Sequence, residues 1–483
     1  MTAVLVVDVG TTTIRAAIVD EQLRIVALAR RSFPPSTPSP GLVEFDAVAM
    51  YDVVEDACRE AMAKVAERPS VLGITNQRAS TVLWDRSTGE PIGPALGWQD
   101  LRTVMECITA KAEHGLALAP NQPATKVPWL LDHVEGARQR DVCFGTVESW
   151  VAWKLSGGQL HVTDHTNAAV SGLMTHDAAA WDQQTLDILG IPAAVLPTVV
   201  DSCGVIGEAT ALDGSPPIGA LIGDQQASLV GQGCVMAGRA KLTFGTSGIL
   251  DLCGGDDAPA SDRRGPHGTY PVVAWSRNGS LTWGVEAIML AAGTNVEWLC
   301  EDLGVLGTSA ESHDVASSVP SADGAVFVPA LLGLGTPAWD YGARGTLLGV
   351  TRGTTKAHLV RAVLEGVAHR GADLVEAAEA DTGLSIATLR VDGGMSANPT
   401  FAQAVADATQ RRVEVSPVAE ATTLGAAFLA GLAVGVWADV GDADRVWKPA
   451  RMHEPGPPLD RDQWREAIER SRRWIPELSA LEF

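Results

Sequence analysis

The sequence is poor in basic residues: its 483 residues include 36 Lys and Arg against 58 Asp and Glu, a formal net charge of -22. A surface this acidic repels nucleic acids and anionic membranes, so we expect neither as a partner. An anionic substrate would need its own local Arg, Lys, backbone N–H groups or metal ion. The charge balance therefore excludes the attraction of an anionic partner by the surface as a whole. An anionic substrate would have to be recognised at a local site.

Cysteine is also scarce, and its seven copies lie far apart without a CxxC pair. This spacing favours free buried thiols in a reducing compartment. The longest apolar stretch, residues 424–436, is too short and too rich in Gly and Ala to span a bilayer. The first residues predict a β-strand, which is not the pattern of a signal peptide. We therefore expect a cytoplasmic protein without a membrane partner.

The most informative stretch of the sequence lies near its start. An apolar run at residues 4–7 ends at Asp8, a turn follows at residues 10–13, and a second apolar run occupies residues 14–19. This pattern predicts a β-hairpin. The turn offers backbone N–H groups and hydroxyls beside one carboxylate, which suit the phosphate tail of a nucleotide that carries Mg²⁺. Hairpins that bind nothing have similar turns, so this stretch alone does not establish a phosphate site.

Two further stretches place polar residues directly after buried strands. Predicted strands at residues 71–75 and 81–85 flank a polar loop at residues 76–79, and a β-run at residues 217–223 is followed by Asp224. In open α/β sheets, ligands bind at the carboxyl ends of the strands. Asp224 is also well suited to be the N-cap of the helix that follows. The pattern therefore leaves both a ligand site and a simple helix cap open.

The hairpin pattern occurs a second time in the middle of the chain. A β-run at residues 240–244 leads into a Gly-Thr-Ser-Gly turn at residues 245–248, and another β-run follows. Two strand–turn–strand units, one opening each half, indicate an internal duplication. The length agrees, because it suggests about two to four domains. A duplicated fold with two facing phosphate loops implies a nucleotide cleft between two lobes.

The remaining predictions concern two helices and one glycine-rich corner. Asp46 predicts the N-cap of a helix, and residues 285–304 predict a helix with a notch at Gly293. Residues 389–409 predict a strand, a Gly-Gly turn at residues 393–394, and then a helix. This corner would let a flat base or a phosphate approach the backbone closely.

Taken in order, these stretches resemble the FGGY family of carbohydrate kinases, and within it the glycerol kinase branch. The resemblance rests on DVGTTTIRAAIVD, GITNQRASTVLWDRSTGEPI, ATKVPWLLDHVEG, GDQQASLVGQ, KLTFGTSG and RVDGGMSAN. It implies an α/β fold with two ribonuclease H-like domains, of the actin and hexokinase ATPase type, around a central nucleotide cleft. Residues 1–232 would carry the polyol or sugar site and the first phosphate loop. Residues 233–483 would carry the second phosphate loop and the adenosine site.

The resemblance implies an ATP- and Mg²⁺-dependent kinase that acts on a small polyol or sugar and forms a homodimer or homotetramer. It also implies roles for individual residues. The phosphoryl acceptor would be bound by Arg78, Ala79, Trp98, Asn121, Asp224, Gln225 and Ile249. Asp224 would be the catalytic base that accepts the proton of the reacting hydroxyl. The nucleotide would be bound by Gly10, Thr11, Thr12, Thr13, Arg15, Gly245, Thr246, Gly293, Glu297, Gly394 and Asn398. Mg²⁺ would be bound by Asp8, through water.

Three positions of the acceptor site depart from the glycerol kinase pattern. Ala79 stands where that branch has Glu, Asn121 where it has Tyr, and Ile249 where it has Phe. Loss of a charged acceptor that pairs with bound hydroxyls should cost about 1.5–3 kcal/mol of binding free energy. Loss of two rings enlarges the pocket. These changes predict a polyol longer than glycerol, such as a tetritol or a pentitol.

Several alternatives remain open. The chain is also compatible with a true glycerol kinase or with a ketose kinase of the xylulokinase type. In a different class, it would be an ATP-binding relative without catalytic activity, although the presence of both Asp8 and Asp224 argues against this. An actin-like or chaperone-like ATPase would not need the predicted polyol site.

Overall fold

A computed structural model describes residues 3–261 and 263–481 of the chain. Its strands are β1 (Val4–Val9), β2 (Thr13–Val19), β3 (Ile25–Ser32), β4 (Glu44–Phe45), β5 (Val71–Asn76), β6 (Val82–Asp85), β7 (Ala95–Leu96), β8 (Val142–Gly145), β9 (Val162–Asp164), β10 (Thr198–Val200), β11 (Cys203–Glu208), β12 (Pro217–Gly223), β13 (Ala240–Phe244), β14 (Gly248–Gly255), β15 (Tyr270–Arg277), β16 (Ser280–Met289), β17 (Val326–Val328), β18 (Thr346–Leu348), β19 (Thr388–Asp392), β20 (Arg412–Val415) and β21 (Arg451–His453).

The helices are α1 (Ala47–Ala63), α2 (Val104–His114), α3 (Pro123–His133), α4 (Val147–Leu155), α5 (His165–Ala169), α6 (Gln183–Leu189), α7 (Asp224–Gly231), α8 (Thr294–Glu301), α9 (Glu311–Ser317), α10 (Lys356–Thr382), α11 (Pro399–Thr409), α12 (Ala421–Ala433), α13 (Asp442–Val446), α14 (Arg461–Ser471) and α15 (Pro476–Ser479). Short 3₁₀ turns cover Ala137–Gln139, Ala193–Val195 and Gly394–Ala397. Among the described residues, no helix is both long enough and apolar enough to cross a membrane.

A 13-stranded sheet runs through the whole molecule in the order β21-β20-β19-β13-β14-β16-β15-β11-β12-β5-β1-β2-β3. In the amino-terminal half, β1, β2 and β3 form an antiparallel meander, and β1, β5 and β12 are parallel. In the carboxyl-terminal half, β13, β14 and β16 are antiparallel neighbours in the same places, with β15 beyond β16, and β13, β19 and β20 are parallel. The two halves therefore repeat one topology, as the duplicated hairpin pattern predicts.

The first strand shows why this sheet forms. All six residues of β1 are buried, which requires cover on both faces of the sheet. Leu5 and Val7 face one core together with residues of α1, whereas Val4 and Val6 face another core together with residues of α12. Successive side chains of a strand point to opposite faces, so a continuous apolar run serves both cores.

Helices α7 and α12, one from each half, pack against each other at unusually close range. A Cβ added at Gly231 would overlap the carbonyl oxygen of Ala421, and one at Gly425 would overlap that of Ala227. Only glycine permits such an approach of two backbones. The helix that begins with Asp224 is thereby fixed against the other half of the protein.

The predicted helix at residues 285–304 is wrong in its first part. Residues 285–289 belong to strand β16, which pairs with β14 and β15, and the helix α8 begins only at Thr294. The apolar residues of β16 alternate up to Ala287, but residues 287–292 form a continuous apolar run from the end of β16 almost to α8, and such a run resembles a buried helix. The N-cap prediction for Asp46 is confirmed, since its carboxylate accepts from the backbone N–H groups of Val48 and Ala49.

Candidate active site

The carboxyl ends of three parallel strands bring the first group of predicted site residues to one edge of the sheet. Asp8 on β1 pairs in register with Thr75 on β5, and Thr75 pairs with Ile222 on β12. The loop with Arg78 follows β5 directly, and Asp224 follows β12 directly. Residues far apart in the sequence therefore meet in the cleft at the position expected for a ligand.

Asp8 is buried between the two halves. Its Oδ2 accepts from the hydroxyl of Thr423 on α12 at 2.9 Å, and an Arg15 nitrogen lies 3.5 Å from the same oxygen. Burial raises the pKa of this carboxyl above its usual value, and Arg15 opposes that rise. The side-chain contacts found in the described residues both involve Oδ2, so Oδ1 remains for a further partner. A carboxylate in this position is the oxygen ligand that Mg²⁺ prefers.

The first hairpin turn contacts a predicted substrate residue. The N–H of Gly10 donates to the carbonyl of Thr13 at 3.0 Å, which closes the turn, and Thr12 at its tip is exposed. The indole N–H of Trp98 donates to the hydroxyl of Thr11 at 3.1 Å. The turn predicted to bind phosphate and the ring predicted to bind the acceptor are therefore neighbours.

The second hairpin turn is backed by Gly293. The N–H of Gly293 donates to the carbonyl of Gly245 at 2.8 Å, and the N–H of Ala292 donates to that of Thr246 at 2.8 Å. A Cβ on Gly293 would overlap the carbonyl of Gly245. Thr246 itself is exposed, as is Glu297 in the first turn of α8. The structure thus brings together Gly245, Thr246 and Gly293, and the N–H of Glu297 donates to the carbonyl of Gly293 at 3.0 Å.

The Gly-Gly corner after β19 combines one constrained and one open position. Gly393 has a φ of +85°, and a Cβ there would collide with the backbone of Phe244. A Cβ at Gly394 would meet nothing within 4 Å, so the backbone there is accessible to a ligand. The side chain of Asn398 caps α11 by accepting from the N–H of Phe401, and it donates to Ser312. Asn398 therefore has a structural role as the cap of α11.

The predicted acceptor site centres on Arg78 and Asp224. Arg78 Nη2 donates to Glu286 Oε2 on β16 at 2.7 Å, and Arg78 Nε lies 3.5 Å from Asp224 Oδ1. Burial raises the pKa of Asp224, and the positive charge of Arg78 opposes that rise. The N-cap of α7 is Gly223, so the alternative that Asp224 caps this helix is wrong. Its Oδ1 instead accepts from the adjacent N–H of Gln225 at 2.8 Å.

The three positions that depart from the glycerol kinase pattern lie in different surroundings. Ala79 is buried beside Arg78 with a positive φ of 65°. Ile249 is partly buried on β14, between Thr243 and Ile288 of the neighbouring strands. The side chain of Asn121 is exposed, at the start of the segment that leads into α3.

Lys126, which sequence reasoning missed, connects Asn121 to the Trp98 segment. Its buried ammonium donates to the carbonyls of Gly97 at 2.7 Å, Asn121 at 3.2 Å and Trp98 at 3.3 Å. Burial lowers the pKa of Lys126 to about 7. The signal that was available is a lysine in the middle of an otherwise apolar helix face.

Three further charged residues that the sequence predictions omitted lie on adjacent strands of the carboxyl-terminal half. Lys241 on β13 pairs in register with Asp251 on β14, and Asp251 pairs with Glu286 on β16. We call Lys241, Asp251 and Glu286 the charged row. A charged residue inside each of three buried apolar strands was a signal in the sequence, because such charges require partners.

Comparison with known proteins gives the family. The model of the FGGY carbohydrate kinase N-terminal domain matches residues 3–231, and the model of the FGGY C-terminal domain matches residues 240–434. The chain belongs to the FGGY family of carbohydrate kinases. It is 40% identical to a glycerol kinase of Rhodopirellula baltica over 98% of this chain and 91% of that protein. It is 41% identical to a glycerol kinase of Aromatoleum aromaticum over 98% of this chain and 100% of that protein.

Solved structures agree with this assignment. The crystal structure of Plasmodium falciparum glycerol kinase with ADP superposes with a TM-score of 0.90 at 28% identity, covering 98% of each chain. A ligand-bound xylulose kinase from Lactobacillus acidophilus superposes with a TM-score of 0.87 at 22% identity over 99% of each chain, which shows the shared fold. The two-domain ribonuclease H-like fold is thereby confirmed. This FGGY protein is an ATP-dependent sugar or polyol kinase, a phosphotransferase with an alcohol group as acceptor.

Proposed function

We propose that this kinase transfers the γ-phosphoryl group of MgATP to a terminal hydroxyl of a polyol longer than glycerol, a tetritol or a pentitol. The observation that carries the proposal is Ala79, which presents only a buried methyl group directly beside Arg78. A carboxylate there would accept from substrate hydroxyls, so its loss weakens the hold on a small triol. A longer polyol recovers binding free energy through additional hydroxyls and contact area. Glycerol remains the second candidate, because the relatives named above are glycerol kinases.

In this proposal, the acceptor is oriented by Arg78, Trp98 and Gln225, and Asp224 removes its proton. Phosphoryl transfer depends mainly on positioning and on charge stabilisation. A general base works best when its pKa lies near the operating pH. Burial raises the pKa of Asp224 in that direction, and the positive charge of Arg78 opposes the rise. The proton of the attacking hydroxyl would pass to Asp224 as its oxygen bonds to the γ-phosphorus and the bond from that phosphorus to the bridging oxygen of ADP breaks.

The nucleotide would lie between the two hairpin turns. Exposed Thr12 and Thr246 and the backbone N–H groups of their turns are suited to contact the β- and γ-phosphates. The open backbone at Gly394 is suited to the adenosine. Asp8 would hold Mg²⁺ through water, and the ion would neutralise the phosphate charge. Residues 1–232 and 233–483 would form the two domains, which close on the substrates and exclude water.

The proposal also includes a cytoplasmic location and an oligomeric state. The seven cysteines are unpaired thiols, and six of them are buried, which suits the reducing conditions of the cytoplasm. We expect the functional form to be a dimer or tetramer.

The test is ADP release from MgATP by the purified protein over a panel of acceptors. The panel holds glycerol, erythritol, both threitols, xylitol, ribitol, arabinitol, dihydroxyacetone, xylulose and ribulose. We expect the highest kcat/KM on a four- or five-carbon polyol. The highest value on glycerol would overturn the longer-polyol assignment, and the highest value on a ketose would favour the xylulokinase-like alternative. ATP binding without turnover on any acceptor would favour a relative without catalytic activity.

A further inference from the structure

A buried lysine contacts Gln225, one of the residues predicted to bind the phosphoryl acceptor. Lys241 on β13 has a side chain that is 0% exposed, and its Nζ lies 2.7 Å from Oδ2 of Asp251, which is 2% exposed. The same Nζ donates to Oε1 of Gln225 at 2.7 Å and to the hydroxyl of Thr243 at 3.0 Å. Gln225 follows Asp224 directly, so the contacts of Lys241 reach within one residue of the proposed base.

A buried ion pair needs an explanation, because an apolar pair of similar size often supports a fold equally well. What an apolar pair cannot do is orient a neighbouring amide. A lysine ammonium has only donors, so the oxygen of the Gln225 amide must face it. The amide is planar, and its NH₂ group therefore points away from Lys241. Asp251 keeps the ammonium in place, since its carboxylate is the adjacent partner on β14.

The charged row extends this arrangement to Arg78, which also lies 3.5 Å from Asp224. Asp251 pairs in register with Glu286, and Glu286 accepts from Arg78 at 2.7 Å. Lys241, at one end of the charged row, thus contacts Gln225, and Glu286, at the other end, contacts Arg78. Gln225 and Arg78 are both groups that would donate hydrogen bonds to the acceptor.

We propose that Lys241, held by Asp251, is a positioning residue that fixes the Gln225 amide so that its NH₂ group donates to an oxygen of the phosphoryl acceptor. This inference rests on the acceptor site proposed above and deepens it. The acceptor must offer a lone pair at this point, as a hydroxyl or carbonyl does. An analogue with an ammonium group at the same carbon meets a second donor and is rejected.

The first test needs no substrate. Gln225→Met is introduced into the wild type and into the double variant Lys241→Met, Asp251→Leu, and thermal unfolding is measured. In the wild type, the substitution leaves the buried ammonium without its amide partner, so we expect Tm to fall by several degrees. In the double variant, the same substitution should change Tm by less than half as much. Equal changes in both backgrounds would overturn the link between Lys241 and Gln225, even if the proposed acceptor is wrong.

The second test uses the acceptor that gives the highest kcat/KM. Lys241→Met, Asp251→Leu should raise its KM about tenfold, the loss expected for one oriented hydrogen bond, and leave the KM for MgATP within twofold. Gln225→Glu keeps an oxygen toward Lys241 but removes the NH₂ donor, and should raise the same KM. The variant with all three substitutions should have an acceptor KM little higher than that of the double variant, because both changes remove the same hydrogen bond to the acceptor. Strictly multiplicative effects would overturn the proposal.

A matched control comes from the next strand. Arg390 on β19 pairs in register with Lys241, but its buried guanidinium contacts Glu414 and Asp444. Arg390→Met therefore disturbs the same sheet to a similar degree without touching Gln225. We expect it to lower Tm and leave the acceptor KM unchanged. An equal rise of the acceptor KM in this control would show that any buried charge of the sheet has the same effect, and would overturn the specific role of Lys241.

Discussion

Arg78 of the amino-terminal half donates to Glu286 of the carboxyl-terminal half over 2.7 Å, and the two side chains are 15% and 9% exposed. The contact joins the loop after β5 to strand β16 across the cleft. Arg78 also lies 3.5 Å from Asp224, so one guanidinium is shared between two carboxylates. The position of Arg78, and with it the charge felt by Asp224, therefore depends on a residue of the opposite half.

Glu286→Gln should weaken acceptor binding. The variant keeps an oxygen that accepts from Arg78 but loses the negative charge. Hydrogen bonds to charged groups are worth about 1 kcal/mol more than neutral ones, so we expect the acceptor KM to rise about five- to tenfold. Removal of this carboxylate also increases the influence of Arg78 on Asp224, which lowers the pKa of Asp224. The acidic limb of kcat/KM should therefore move to lower pH, as steady-state rates from pH 5 to 9 will reveal.

Glu414→Gln is the matched control for that variant. Glu414 on β20 pairs with Arg390 in the same sheet, at 3.2 Å, and three strands separate β20 from the β16 strand of Glu286. It should reproduce any general loss of stability without the rise of KM or the pH shift. The role assigned to Glu286 fails if both variants have the same kinetic effects.

Asp224→Asn should remove transfer while it preserves the nucleotide site. An amide cannot accept the proton of the hydroxyl, and general-base catalysis contributes about 100- to 10,000-fold to rates. We expect kcat to fall by at least about 100-fold, with unchanged binding of MgATP in calorimetry. Asp182→Asn, which alters the N-cap of α6 at the surface, is the control. Turnover near the wild-type rate would exclude Asp224 as the base.

Ala79→Glu tests the specificity that we propose. The new carboxylate would lie beside Arg78 and accept from hydroxyls of a small polyol. We expect the ratio of kcat/KM for glycerol to that for the preferred longer polyol to rise about tenfold. Ala79→Gln, which adds similar volume without charge, separates the charge effect from the smaller pocket. An unchanged ratio in Ala79→Glu would mean that this position does not contact the acceptor.

Much of the fold could be predicted because local chemistry determined it. The turn at residues 10–13, the second turn at residues 245–248 and the cap at Asp46 all depend on residues within a few positions. The duplication was visible because the same local pattern occurs twice. Residues 285–289 were predicted wrongly because the apolar run at residues 287–292 continues from the end of β16 almost to α8, and periodicity does not show where the strand ends.

The charged row could not be assembled from the sequence alone. Lys241, Asp251 and Glu286 become neighbours only through the registers of β13, β14 and β16. The contact of Thr423 with Asp8 likewise requires the packing of α12 against the amino-terminal half. Contacts between residues far apart in the sequence therefore add to the site the side chains that support the residues predicted from the family motifs.

Two adjacent glycines should separate folding from nucleotide binding. Gly394→Ala places its methyl group in open space, so Tm should be almost unchanged while the KM for ATP rises severalfold. Gly393→Ala forces a Cβ against the backbone of Phe244 at a φ of +85°, so Tm should fall markedly. Thermal unfolding and ATP kinetics of both variants check this. If Gly394→Ala leaves ATP binding intact, the adenosine does not approach this corner.

The buried Glu148 should make stability fall as the pH rises. Its Oε2 accepts from Asn76, its Oε1 accepts from Thr146 and Thr163, and Asp164 lies nearby. Burial, together with the charge of Asp164, raises the pKa of Glu148 from 4.5 to about 7. The folded state thus retains a proton that the unfolded state loses between these values, so the free energy of unfolding decreases across this range.

Glu148→Gln removes this ionisation while it keeps the shape of the side chain, with an NH₂ donor in place of one accepting oxygen. The free energy of unfolding of the wild type, relative to the variant, should fall by about 3 kcal/mol between pH 4.5 and pH 8. Urea denaturation at several pH values measures the difference, and Glu90→Gln at an exposed position is the control. Asn76 immediately precedes the loop that carries Arg78, so the same ionisation is expected to affect the acceptor site. Parallel stability curves for the wild type and Glu148→Gln would show that Glu148 does not titrate between these pH values.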